Sequence, residues 1–356
     1  MKRIIVMAWA ALLICLAAIA PAQASFEAIG PFSVESRDNG TFVLTDGIGR
    51  RIHLVPRGQK PPPGVEEKNL VRIPVKSVAT DSWRDTSLFL ALDAIDKVKA
   101  VTGKPEEWII PQIRDGLHNG SIVSLGQRHG MDYEQLVKIK PDVFFTWDES
   151  MIPMLDELGI ATVVTNTDLA RDLDTQIRFV RYLAPFFGSF KQADQYVAKV
   201  RAVLEDIKAK ANGVAAKPKV IWGDVYSKRV LVEPGNSWAA QIVQAAGGNY
   251  LFNDVAGDTC LEIALERFYS SGCEADMMIT YRTPRQGMAT KARMKATNIT
   301  IAGIKPLSVG KVFYPLQHYS QSADKLDEIL VDLAAMIHPE LYPGFELRYF
   351  VEMPED

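Results

Sequence analysis

The chain is short of several things. Three cysteines in 356 residues exclude a disulfide scaffold and a cysteine-rich metal cluster. Five histidines leave little material for a multi-histidine centre. There is no basic excess: the formal net charge is -3, which argues against a nucleic-acid binder. Beyond the first 24 residues no apolar run of about 18 residues occurs, so no second stretch is long enough to span a bilayer. The Gly-x-Gly-x-x-Gly fingerprint, the P-loop, His-Glu-x-x-His and the Gly-x-Ser-x-Gly elbow are all missing. Their absence points away from a nucleotide enzyme, a zinc protease or an ordinary serine hydrolase. What is present is the balance of a folded globular chain, 47% hydrophobic and 23% charged.

The first 24 residues read as a secretory leader. Lys2 and Arg3 precede the uncharged apolar run Ile4 to Ala20, and Ala22-Gln23-Ala24 carries small residues at both key positions of a cleavage site. Cleavage is expected after Ala24, with the protein exported to the periplasm. A lipoprotein signal at Cys15 is disfavoured, because Ile14 stands where a small residue is wanted. Losing Lys2 and Arg3 takes the net charge to -5. Cys260 and Cys273 then remain in an oxidising compartment; their pairing is left open, since a helical turn or two between them can hold the α-carbons apart.

Residues 25–71 read as an N-terminal hairpin and linker. Phe42 to Val55 forms two short strands around Asp46-Gly47-Ile48-Gly49, and Pro61-Pro62-Pro63-Gly64 marks the linker after them. Over 72–171, strands expected at 75–79, 98–102, 122–125, 143–147 and 162–164 alternate with helices at 87–95, 133–139 and 152–158. That alternation predicts a mostly parallel sheet with helices on both faces. Residues 172–212 read as one long helical segment, with a kink or break at Pro185 and Gly188. A second α/β series fills 213–356: strands at 220–222, 230–232, 277–280 and 312–314, and helices at 238–246 and 324–337. The expected fold class is α/β, two lobes joined by one long helical segment. A faint internal echo supports two similar lobes. Glu134 leads through a helix to Lys140-Pro141-Asp142 and an apolar strand; Glu266 leads to Glu274-Ala275-Asp276 and another.

In an open parallel sheet, ligands sit beyond the carboxyl ends of the strands. Bulky rings and arginines recur at those ends. Trp83 and Arg84 follow the first strand of lobe one, Arg128 and His129 a later one, and Trp147 ends the next. In lobe two Trp222 ends a strand, with Tyr226 just after, and Trp238 opens a helix. Tyr281, Arg282 and Arg285 follow one strand; Tyr314, His318 and Tyr319 follow the last. Taken singly, each tryptophan is better explained as a core plug and each arginine as a surface charge. Clustered at one sheet edge, they suit a flat or bulky ligand gripped by aromatic faces, with arginines for anionic groups. The candidate ligand set is Trp83, Arg128, His129, Trp147, Trp222, Tyr226, Trp238, Tyr281, Arg282 and Tyr314.

In the order of its motifs the chain resembles a family, the periplasmic binding proteins for ferric siderophores, haem and cobalamin. Leu44-Thr45-Asp46-Gly47-Ile48-Gly49-Arg50-Arg51-Ile52 is similar to its opening strand pair. Gly130-Met131-Asp132-Tyr133-Glu134 followed by Ile139-Lys140-Pro141-Asp142-Val143 resembles its helix–Lys-Pro-Asp–strand run. Leu158-Gly159-Ile160, Gly235-Asn236-Ser237-Trp238 with Ala245-Ala246-Gly247-Gly248-Asn249, and Glu266-Arg267-Phe268-Tyr269 with Ala275-Asp276 come next in the same order. The resemblance covers about residues 41 to 340 and implies two Rossmann-like lobes joined by a single long bridging helix, best placed after Gly188, with a ligand cleft between the lobes. It implies a non-enzymatic monomer serving an ABC importer, which captures a metal chelate (a ferric siderophore first, otherwise cobalamin or haem) and needs no cofactor of its own. It also implies that Glu134 and Glu266 pair with arginines of the membrane permease and its ATPase assembly. Two other readings remain open. A secreted hydrolase or chelatase would need a nucleophile–base pair, and none is recognisable. A binder of an oxyanion such as molybdate would use arginines and helix N-termini. Bare zinc or manganese is disfavoured, because only His129 and His318 lie near the proposed cleft.

Overall fold

The computed structural model describes residues 24–127, 130–166 and 172–356. All of the expected leader but Ala24 therefore lies outside the described residues. The chain builds three sheets in succession. The first holds β1 (Ser25–Ile29), β2 (Phe32–Ser36), β3 (Phe42–Thr45), β4 (Arg51–Pro56) and β5 (Leu70–Ile73), in that order. Its first four strands form an antiparallel meander and β5 runs parallel to β4. The expected hairpin is its β3–β4 portion. Asp46 in the connecting turn is fully buried. Its carboxylate accepts from the main chain of Ile48, Arg50 and Val164 and from the Arg50 guanidinium, which ties this sheet to the second.

The second sheet contains β6 (Val78–Thr80), β7 (Val98–Val101), β8 (Val123–Ser124), β9 (Val143–Thr146) and β10 (Thr162–Val164). The order is β10-β9-β6-β7-β8, all parallel. Helices α1 (Trp83–Ala91), α2 (Pro111–Asn119), α3 (Tyr133–Ile139) and α4 (Ile152–Glu157) connect its strands. Alternation along each strand splits its side chains between two cores. Val78, Val143, Phe145 and Val163 join the main core, while Ala79, Ala100 and Phe144 face a smaller cluster with Leu136 and Leu155.

The passage from β10 to the third sheet is two helices, with the break expected at Pro185 and Gly188 falling at Gly188. They are α5 (Leu173–Phe187) and α6 (Phe190–Ala211). Gly188 caps α5 at φ 74°, a left-handed conformation that costs glycine nothing and other residues about 1 kcal/mol or more. The break folds α6 back along α5. The 22 residues of α6 span about 33 Å. Its buried stripe, Tyr196, Val197, Val200, Leu204 and Ile207, recurs at helical spacing. The pair packs on the first sheet, on α1 and on the helices of the third sheet, so one continuous core runs through both lobes.

The third sheet contains β11 (Lys219–Val225), β12 (Val230–Val232), β13 (Asn249–Tyr250), β14 (Leu261–Ile263), β15 (Met277–Ile279), β16 (Lys311–Pro315) and β17 (Phe350–Glu352). Its order is β14-β12-β11-β15-β16-β17, with β13 paired to the start of β11. The pairs β13–β11, β11–β15 and β15–β16 are parallel; β12, β14 and β17 run antiparallel to their neighbours. Helices α7 (Trp238–Ala245), α8 (Leu265–Glu274), α9 (Lys291–Thr297), α10 (Lys305–Ser308) and α11 (Leu326–Ile337) complete the lobe. The sequence echo has a structural counterpart. Asp142 and Asp276 each precede a strand and accept from the main chain that enters the neighbouring one, at Lys76 and Ser77 in one lobe and at Lys219 in the other.

Candidate functional site

In both parallel arrays the chain starts near the middle and reverses its direction of travel across the sheet. The reversal places a crevice beyond the carboxyl ends of β6 and β9 in lobe one, and of β11 and β15 in lobe two. Trp83 and Arg84 stand just past β6. Ser82 accepts from the Asp85 main chain and so starts α1 there. Trp83 is half-buried and meets buried Trp108 edge-on at 6.2 Å. Trp108, which no strand end had marked, is the support beneath Trp83, its indole donating to the Thr102 carbonyl.

Two adjoining cavities open between the lobes. An outer cleft of about 520 Å³ is lined by Trp83 from lobe one and by Tyr281, Arg285, Tyr314, Leu316 and Tyr319 from lobe two. An inner chamber of about 340 Å³ is lined by Arg84, Gln176, Tyr196, Glu233, Trp238, Cys260, Tyr281, Tyr319, Ala323, Leu326 and Ile329. Tyr281 and Tyr319 belong to both, with ring centroids 6.4 Å apart.

Of the expected ligand residues, the structure gathers Trp83, Trp238, Tyr281 and Tyr314 on these walls. Arg128 and His129 lie outside the described residues. Trp147 is 39% exposed at the end of β9 and lines neither cavity. Trp222 corrects the expectation. It has no exposed surface and is enclosed by Trp238, Tyr281 and Phe350 at 5.6, 5.7 and 6.4 Å. It backs the wall instead of forming it, because β11 lies inside the sheet with its side chains largely buried and Phe350 of β17 packs against the indole. Tyr226 and Arg282 face each other, the guanidinium 4.6 Å above the ring, and neither lines the outer cleft or the inner chamber. His318 is likewise turned aside, its ring nitrogen 2.8 Å from the Arg348 carbonyl oxygen.

The residues that sequence reasoning passed over come from the helices. Tyr196 reads as one more apolar residue in the stripe of α6, yet its hydroxyl donates to the Ala323 carbonyl at the chamber wall. Gln176 on α5 accepts from Arg84 at 2.6 Å. Glu233 had a usable signal, a carboxylate directly after the buried strand β12 and before Pro234-Gly235; it is 3% exposed. The Cys260 thiol donates to it at 3.3 Å. Neither Cys260 nor Cys273 is in a disulfide. Desolvation pushes the Tyr196 and Tyr319 hydroxyls well above the usual phenol range, and the Asp224 carboxyl at the lobe-two crevice above the usual carboxylate range. The two tyrosines serve the site as neutral hydrogen-bonding partners and ring faces, while Asp224 accepts from the Thr280 hydroxyl and the Tyr281 main chain. Among the described residues no group of three or more His, Cys, Asp or Glu side chains is placed to hold a metal ion.

Two α/β lobes facing each other across a ring-walled cleft define a protein built to enclose a small ligand. The chain belongs to the periplasmic binding protein family, whose sequence profile matches residues 78–298. It is 25% identical over 326 residues to an uncharacterized lipoprotein of Methanocaldococcus jannaschii, covering 87% of this chain and 78% of the relative. Its fold is similar to that of a periplasmic binding protein from Veillonella parvula, with TM-score 0.59 and 19% identity over 74% of this chain and 91% of the other. It is also similar to a periplasmic heme binding protein from Pseudomonas aeruginosa, with TM-score 0.57 and 15% identity over 78% and 98%.

Proposed function

We propose that this chain is the substrate-binding component of an ABC importer. It captures a metal chelate between its lobes and delivers it to a membrane permease. A ferric siderophore is the first candidate, with cobalamin and haem after it. The observation that carries the reading is the pair of ring-walled cavities at the strand ends of both lobes, in a member of the periplasmic binding protein family. Rings suit a bulky chelate with apolar faces, and a pocket walled from two lobes can remove most of its surface from water. The heme-binding fold relative is consistent with a ligand of this kind. Glu134 and Glu266 are the proposed permease contacts. Both are exposed, and each sits in the first turn of a helix, one per lobe.

The test is native mass spectrometry with an absorption spectrum of protein purified from its native host. A Soret band, a corrin spectrum or a ferric charge-transfer band would identify the chelate. Colourless protein whose tryptophan fluorescence is quenched by no ferric siderophore, haem or cobalamin refutes the reading.

A further inference from the structure

The outer cleft carries charge of one sign. Its ring wall, Trp83, Tyr281, Tyr314 and Tyr319, is joined by one cation, Arg285, and among the described residues no Asp or Glu lines it. Arg285 is exposed and makes no hydrogen bond or ion pair among the described residues. The neighbouring Arg282, expected at the ligand, lies instead over the Tyr226 ring. The turn that carries Arg285, Pro284–Gln286, is closed on itself. The Thr283 main chain donates to the Gln286 side-chain oxygen at 2.7 Å, its hydroxyl donates to the same oxygen at 3.1 Å, and Gly287 donates to the Pro284 carbonyl at 2.9 Å. A guanidinium on a fixed turn, beside ring faces and away from any lining carboxylate, attracts an anionic group entering the cleft. Its planar fork matches the two oxygens of a carboxylate. The net charge of -3 repels anions from the molecule as a whole, so an anion held here depends on this local contact.

We propose that Arg285 selects chelates bearing a free carboxylate. The metal-binding body rests among the rings of the outer cleft, and a carboxylate not engaged with the metal meets the guanidinium at the lobe-two wall. This rests on the proposed capture of a chelate and names the ligand class for the same site.

The test compares two ferric trihydroxamates made from ferrioxamine B: the N-succinyl form, which ends in a carboxylate, and the N-acetyl form, which ends uncharged. Haem and its dimethyl ester make a second pair, since the ester has no free carboxylate. In whichever pair binds, tryptophan quenching should show the carboxylate form binding about tenfold or more tightly, the gain of one charge-assisted contact. In Arg285→Gln the two forms should bind within about twofold of each other, and Arg285→Lys should keep only part of the preference. Equal binding within every pair that binds overturns the carboxylate proposal and leaves the chelate reading standing. A preference that survives Arg285→Gln overturns the assignment to Arg285. Metal-free citrate, followed by calorimetry, separates the two ideas. If it binds in an Arg285-dependent way while no chelate binds, the anion contact holds and the chelate reading falls. Binding of none of the five, or of citrate alone without need of Arg285, overturns the proposal. The wild-type comparison needs no variant, so a folding defect in Arg285→Gln cannot mask the answer.

Discussion

Replacing Gln321 with alanine is expected to loosen the cleft without touching the ligand. Gln321 lies in lobe two and is 4% exposed. Its carboxamide accepts from the Ile109 main chain at 2.8 Å and donates to the Glu107 carbonyl at 2.7 Å. The two bonds bracket Trp108, which supports Trp83 on the cleft wall. One side chain thus clamps, across some 212 positions of sequence, the loop that positions a ring of the opposite lobe. Two neutral hydrogen bonds contribute about 2 kcal/mol net, and more if the exposed main-chain groups stay dry after truncation. Gln321→Ala should lower the thermal midpoint by a few degrees and shift the emission of the tryptophans around Trp83. Gln321→Glu should be worse. Its carboxylate still accepts from Ile109, but it puts a charge with no donor against the Glu107 carbonyl in a buried setting. Wild-type midpoint and emission in Gln321→Ala, or a milder effect of the glutamate, would refute the clamp and leave lobe geometry to α5 and α6.

Other outcomes depend on single contacts. A Cβ on Gly235 would lie 2.1 Å from the Asn253 carbonyl oxygen, so Gly235→Ala should cost roughly 1–3 kcal/mol or more in chemical denaturation and distort the chamber between Glu233 and Trp238; an unchanged midpoint would sink this. Glu134→Arg should keep fold and ligand affinity while reconstituted transport falls sharply, with added salt restoring part of it; Glu266→Arg should behave alike, and normal transport by both removes the docking role. Burial holds the Asp85 carboxyl above its usual 3.8, so the folded state binds this proton more tightly than the unfolded chain. Wild type should therefore gain stability relative to Asp85→Asn as pH falls from 7 through the raised value toward 4. A difference that is flat with pH, or that grows upward, would contradict this.

Local pattern was enough for much of the framework. Strands at 162–164 and 230–232 and the helix at 133–139 follow from runs of apolar residues and their spacing, because the period of a segment depends only on its own residues. The family followed from the order of short motifs. The strands β1, β2, β5, β14 and β17 went unread. They are short and largely half-exposed; β5, β14 and β17 become strands by pairing with segments well separated in the chain, and β1 and β2 form a local hairpin whose own pattern is too weak to mark it.

The site divides in the same way. That rings collect at strand carboxyl ends was legible in the sequence, and so were Trp83, Trp238, Tyr281 and Tyr314. Which ring lines a cavity was not. Trp222 occupies as good a position in the sequence as Trp238, but Phe350 arrives from 128 residues away to seal it in. Tyr196 and Gln176 look like ordinary helix residues until the break at Gly188 folds α6 onto α5 and brings both to the wall. Exposure depends on what packs on a residue from elsewhere in the chain. Sequence alone could therefore determine the kind of protein and the neighbourhood of its site, and only the tertiary packing decided which side chains form the walls.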